Sequence, residues 1–227
     1  MTGLTLHHIT RDPRQGSREG APTLVLLHGV RSNEQDLMGL APALDPRFFV
    51  VSARAPLTLG PGAYGWYHVE FTPTGYILDE DEAEEGRLTL LRFAEELTSA
   101  YPVDPTQVYL MGFSQGAIMS LGAALSTPAK FAGAVGMSGR LLDRALQAIA
   151  PHDELTGLPL MVVHGTRDTV IPISFGRAIR DRLIDLPVDL EYREYEMAHQ
   201  VTDRSIEDID QWLKKRLGSG DWRTGRA

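Results

Sequence analysis

The chain has 227 residues and carries 30 acidic against 22 basic side chains, a net charge of −8 with the histidines neutral. Hydrophobic residues at 43% and charged residues at 23% describe a globular protein and exclude a disordered, collagen-like or fibrous chain. The negative balance repels phosphate backbones, so nucleic acid is not an expected partner, and the absence of cysteine removes disulfides, thiolate metal sites and cysteine nucleophiles. The length suits a single domain over residues 1–227, with its core at about 23–217 and a Gly/Arg/Trp-containing tail at 218–227 expected to fray.

In chain order, Arg11, Asp12, Arg14, Arg18 and Glu19 interrupt the region where a secretory signal needs an apolar core, and the expectation is a cytoplasmic protein. Strands are predicted at Thr23 to Leu27, Phe48 to Ser52, Val108 to Met111, Ala132 to Met137, Leu160 to His164 and Leu190 to Tyr195, with Leu4 to Thr10 as an edge strand. Most lack polar alternation, which is the pattern of strands buried on both faces of a parallel sheet. Helices are predicted at about Asn33 to Ala43, Glu84 to Tyr101, Gln115 to Ser126, Arg140 to Ile149, Ile173 to Leu186 and Arg204 to Leu217, the first opening on a Ser32/Gln35 capping box. Alternating strands and helices imply an α/β fold with a mostly parallel central sheet and helices on both faces.

The charge-free run from Pro105 to Ala129 is broken by Gly112, Ser114, Gln115 and Gly116, and reads as a buried strand and a buried helix, with no integral membrane association. The stretch from Ala53 to Asp81 has no clear periodicity but interleaves glycine and proline with Tyr64, Trp66, Tyr67, Phe71 and Tyr76, and is expected to wall a pocket. The acidic run Asp79 to Glu85 lacks the spacing of a calcium loop and suits a helix N-terminus, and no constellation of metal ligands is present.

The chemistry concentrates at Gly112-Phe113-Ser114-Gln115-Gly116, a G-x-S-x-G motif between a strand and a helix. Glycines two residues either side of the serine permit a turn that lifts the hydroxyl above the sheet, and the helix N-terminus offers the Gln115 N–H to an oxyanion. A serine needs a base, and the base needs an orienting carboxylate, each on a loop after a later strand. Asp168, beyond Leu160 to His164, and His199, before the last helix, fit in order; Asp143 or Asp153 could instead supply the carboxylate, and His152 or His164 the base. The second oxyanion donor is expected in the loop after Thr23 to Leu27, at the Val30 N–H, with His28 as a structural residue.

These residues, together with L-L-H-G at 26–29, W-Y at 66–67, E-D-E-A at 80–83 and H-G-T-R-D-T-V-I-P at 164–172, resemble the carboxylesterase/acyl-protein thioesterase family of α/β-hydrolases over nearly the whole chain. The resemblance implies a serine esterase without cofactor, using Ser114, Asp168 and His199 with oxyanion donors Val30 and Gln115. Members often carry H-G-x-G where Arg31 here takes the second glycine position, and a glycine where Ala198 precedes the histidine. The 54 residues from Ser114 to Asp168 leave no room for a large cap domain between them. The site is therefore expected to be open and shaped by Arg31, Trp66 and Tyr67, favouring small to medium acyl esters. An acyl thioesterase or lysophospholipase on the same residues, and a non-catalytic ligand-binding homologue, are the competing readings. The sequence leaves the oligomeric state open, a homodimer included.

Overall fold

The computed structural model describes residues 3–72, 75–218 and 222–225. In chain order its strands are β1 (His8–Arg11), β2 (Ala21–Leu27), β3 (Phe49–Ala53), β4 (Leu57–Gly60), β5 (Ala63–Gly65), β6 (Val69–Thr72), β7 (Gly75–Leu78), β8 (Val103–Phe113), β9 (Gly133–Met137), β10 (Pro159–Gly165) and β11 (Asp189–Tyr195). Seven form one sheet in the order β1-β3-β2-β8-β9-β10-β11. Within it β1 runs antiparallel to its neighbour, and the other pairs are parallel. This is the α/β-hydrolase architecture.

The helices are α1 (Glu80–Ala100), α2 (Gln115–Ser126), α3 (Asp143–Gln147), α4 (His152–Leu155), α5 (Ile173–Leu183) and α6 (Asp203–Gly218). They cover both faces of the sheet, so successive strand residues are apolar in both directions. In β8, Val108 and Leu110 enter a core shared with α1, α2 and α5, while Tyr109 and Met111 enter a second core closed by Ile206, Ile209, Trp212 and Leu213 of α6. Such strands read as unbroken apolar runs because neither face meets water. Helix α2 is buried from Gln115 to Leu125, wedged between the sheet and α1, which accounts for its low charge.

Several elements depart from the sequence reading. The segment after Asn33 is a short 3-10 helix, Leu37–Ala43, and the capping box is not formed. Instead Ser32 Oγ donates to Asp36 and the Gln35 N–H is taken by Asn33 Oδ1, a local side-chain turn that competes with an α-helical start. Helix α1 begins at Glu80, four residues early, because the Asp79 carboxylate accepts the N–H groups of Asp81 and Glu82. The predicted helix from Arg140 shrinks to the single turn of α3. The stretch from Ala53 to Asp81 holds two hairpins, β4–β5 and β6–β7; a Pro61-Gly62 turn with Gly62 at φ 68° makes the first. Within the tail, Trp222 is docked rather than frayed, its indole N–H donating to the Phe131 carbonyl; residues 219–221 and 226–227 lie outside the described residues.

One residue, Ser114, links β8 to α2, with φ 55° and ψ −117°. The turn is possible only without side chains around it. A Cβ on Gly116 would sit 1.8 Å from the Leu27 carbonyl oxygen, and one on Gly112 would sit 2.0 Å from the Gly116 oxygen. Replacing Gly116 with alanine should therefore lower the stability by about 1–3 kcal/mol or more, read as a shift of the urea unfolding midpoint. Gly39→Ala, whose added methyl meets nothing within 4 Å, is the control and should change little.

Beyond β2 and β3, the buried Glu34 carboxylate accepts a forked pair of bonds from Arg54 Nε and Nη2 at 2.7 and 2.6 Å. Those bonds hold the Glu34 carboxyl down at about 2, below its usual 4.5. A folded-state value below the unfolded one stabilises the fold above the unfolded value, and that contribution is lost as pH falls toward the folded value. The stability gap between the native chain and Glu34→Gln should accordingly be flat above about pH 5 and close between about pH 4.5 and 2 in urea titrations. A gap independent of pH would contradict the pairing.

Candidate active site

Parallel strands deliver their carboxyl ends to one rim of the sheet, and three side chains singled out in the sequence arrive there. Ser114 follows β8 directly, Asp168 lies three residues beyond β10, and His199 four residues beyond β11. Gly165 lets the last two approach. A Cβ there would stand 2.3 Å from the Met197 carbonyl oxygen and 2.5 Å from that of Ala198, so the absence of a side chain admits the histidine loop against the end of β10. The Thr166 N–H then bonds the Tyr195 carbonyl at 2.8 Å, and the Arg167 N–H bonds that of Met197 at 3.1 Å.

The Asp168 side chain is wholly buried, and both of its oxygens are occupied. Oδ1 accepts the Val170 and Ile171 N–H groups at 2.9 and 2.8 Å; Oδ2 accepts from His199 Nδ1 at 2.7 Å. A carboxylate on Nδ1 fixes the proton there and leaves Nε2 as the basic nitrogen. The Phe113 ring packs against the imidazole at 4.7 Å between centroids, beside the serine turn. No Ser114–His199 hydrogen bond forms in this conformation; in ligand-free sites such bonds are often long and close only with substrate.

Two neighbouring histidines are held out of this chemistry. His28 accepts the Ala55 N–H on Nε2 at 3.0 Å, so its proton sits on Nδ1 and donates to the Gly29 carbonyl at 2.7 Å. His164 donates from Nε2 to the Ile171 carbonyl at 2.8 Å. Burial pushes both imidazoles below the usual histidine value, so each is a neutral brace. Asp143 and Asp153 lie in the first turns of the short helices α3 and α4, beside His152 in the latter, and none of these three lines the cleft described below.

The Val30 and Gln115 N–H groups donate to no acceptor among the described residues. The Gln115 amide clamps the neighbouring loop instead: its Oε1 accepts the Trp66 N–H at 3.0 Å and its Nε2 donates to the Tyr67 carbonyl at 2.8 Å. Ser114, Gln115, Val30 and Ile118 line a small cleft of about 30 Å³ together with Tyr67, Val69, Tyr76, Val170, Ile171 and Arg140.

Tyr67 thus stands where the sequence reading expected it, and two other residues do not. Trp66 is fully buried, and its indole N–H bonds the His28 carbonyl at 3.0 Å; it holds the loop from behind and does not line the cleft. Arg31 is exposed and absent from the lining, because its backbone takes the left-handed conformation, φ 62°, that a glycine would favour at this position. Tyr76 and Val69 belong to the 53–81 stretch expected to wall a pocket, whereas Arg140, Ile118, Val170 and Ile171 were missed. Val170 and Ile171 lie next to Asp168 in the 164–172 motif and were findable; nothing around Arg140 signals a cleft.

The chain is 32% identical over 116 residues, half of its own length and 49% of the other, to acyl-protein thioesterase 1 of Gibberella zeae. Against acyl-protein thioesterase 1 of Emericella nidulans it is 26% identical over 215 residues, 85% of this chain and 89% of that one. Among solved structures, esterase PE8 superposes with a TM-score of 0.82 at 24% identity, over 93% of this chain and 99% of that one, a likeness of fold. The model of the phospholipase/carboxylesterase family matches residues 14–217, and the chain belongs to that family of hydrolases.

Proposed function

We propose that the protein hydrolyses carboxylic esters of small to medium acyl chain through an acyl-enzyme formed on Ser114. The observation that carries this reading is the buried Asp168 carboxylate on His199 Nδ1, which leaves a basic Nε2 at the same sheet rim as a serine held on a φ-positive turn. His199 Nε2 takes the Ser114 proton as Oγ attacks the ester carbonyl carbon. The carbonyl π electrons move to oxygen, and the N–H groups of Val30 and Gln115 receive that charge. The tetrahedral adduct collapses, the carbon–oxygen bond to the alcohol breaks, and His199 returns the proton to the leaving oxygen. Water repeats the sequence on the acyl-serine and releases the acid.

The cleft supports the limit on acyl size: it encloses only about 30 Å³, which suits a short acyl chain better than a long one. A thioester carbonyl would meet the same groups, and the similarity to acyl-protein thioesterases favours thioesters as the second substrate class.

Ser114→Ala should lower kcat on a simple aryl ester by about 10⁴ or more, and Asp168→Asn, which reverses the imidazole tautomer, by on the order of 10⁴. Near-native turnover by either variant would end the proposal. Labelling by an organophosphate should fall on Ser114 in the native chain; a protein that resists labelling and cleaves neither esters nor thioesters is a binding homologue. In an ester series of increasing acyl length kcat/KM should peak at short to medium chains, and a rise toward long chains would overturn the size limit.

A further inference from the structure

Among the described residues, Arg140 is a buried cation without an anion. It follows β9 in the stretch leading to α3, is 7% exposed, and lines the same cleft as Ser114 and Gln115. Its guanidinium lies over the Tyr76 ring, 3.7 Å from the centroid, with the Phe175 ring at 5.6 Å. The Tyr67 phenol is the polar side chain that acts on its charge. Arg54, Arg177 and Arg193, by contrast, each hold a carboxylate at 2.9 Å or less. The carboxylates nearest in the fold do not serve Arg140. Glu80 and Asp143 share with it an outer depression, where Glu80 accepts the Arg144 N–H, and neither lies within 4 Å of the guanidinium.

A guanidinium has five N–H donors in a planar fork, and withdrawing it from water is costly unless an acceptor, ideally a carboxylate, meets that fork. Aromatic faces cover the plane of the group and leave its edge to hydrogen bond. Burial destabilises the charged form here, as expected of a cation lacking its counter-ion. Arg140 lines the cleft that holds Ser114, so an anion bound there would meet that requirement for a counter-ion.

We propose that Arg140 is a specificity-determining residue that pairs with a carboxylate carried by the substrate itself, so that the preferred substrates are esters of small acids or alcohols bearing a second, free carboxylate. The inference rests on the hydrolase reading given above and narrows its substrate class. It is independent of the acyl-enzyme chemistry, since Arg140 touches neither Asp168 nor His199. The cleft's small volume keeps the two ends of such a molecule within a few bonds of each other.

Acid release measured by titration at constant pH tests this on two substrate pairs. Monoethyl glutarate against diethyl glutarate places the carboxylate on the acyl side, and the acetate ester of glycolate against ethyl acetate places it on the alcohol side. The native chain should favour the charged member of one pair in kcat/KM by on the order of 10- to 100-fold, the worth of a charge-assisted hydrogen bond, and the pair that responds identifies the side. Arg140→Met, which keeps the length of the stem, should abolish that preference, lowering kcat/KM for the charged ester on the order of 10- to 100-fold more than for its neutral partner. A role limited to bracing Tyr76 would instead depress charged and neutral esters alike. Should Arg140→Met not fold, Arg140→Lys carries the test, losing most of the preference because an ammonium lacks the planar fork. Neutral esters cleaved with no charge preference in the native chain, or a preference that survives both variants, would overturn the inference and leave the hydrolase reading standing. Failure to cleave any ester would overturn both.

Discussion

A backbone contact between Gly116, at the start of α2, and the Leu27 carbonyl, at the end of β2, sets the active-site rim. No side chain fits between them, since a Cβ on Gly116 would overlap that oxygen. The contact draws the first turn of α2 against the loop that follows β2, and the two N–H groups at Val30 and Gln115 come from those two segments. The same closeness forces the chain through Ser114 at positive φ, a conformation a non-glycine residue holds only when its surroundings over-determine it. Here the surroundings are a fully buried helix on one side and a central parallel strand on the other. A further bond from the Ser114 N–H to the Met137 carbonyl ties the turn to β9.

Electrostatic roles around the rim are divided by hydrogen bonding. His28, His164 and His199 are all near strand ends, yet two of them spend their Nε2 atoms on backbone groups and are kept neutral by burial. Of the three, His199 alone hydrogen-bonds a carboxylate, and that carboxylate is immobilised by two N–H groups of the following loop. The arrangement singles out one imidazole of the three by its hydrogen bonds and not by its sequence position. Arg140 shows the opposite condition, a charge whose partner is not supplied by the described residues.

Two short hairpins between β3 and α1 supply Tyr67, Val69 and Tyr76 to the cleft or its edges. The side-chain amide of Gln115 grips the backbone at Trp66 and Tyr67, and the Trp66 indole reaches back to the His28 carbonyl, so the wall of the cleft is fastened to α2 and to the loop after β2 at once. Tyr67 and Tyr76 then present their side chains to the cleft from successive parts of this segment. The result is a cleft wall held in place by bonds from the Gln115 and Trp66 side chains to the backbone.

The alternation of apolar strands and amphipathic helices was legible because burial on both faces of a parallel sheet leaves a periodicity in the chain, as in Leu24 to Leu27 and in Ile206, Ile209 and Leu213. The G-x-S-x-G turn and the glycine of His164-Gly165 were legible for a steric reason: only glycine tolerates those approaches, so the residue type records the contact. The hairpins of the 57–78 segment were not, because strands of three or four residues are too short to impose a pattern and depend on the Gln115 clamp. The capping box at Ser32 failed because Asn33 and Asp36 offered competing local acceptors. Sequence by itself thus determined the strand and helix alternation and the candidate nucleophile, acid and base, since these are written in residue type and order. Tertiary structure alone decided which side chains face the cleft, turning Trp66 and Arg31 away and bringing Arg140 in, because side-chain direction depends on packing between segments distant in the chain.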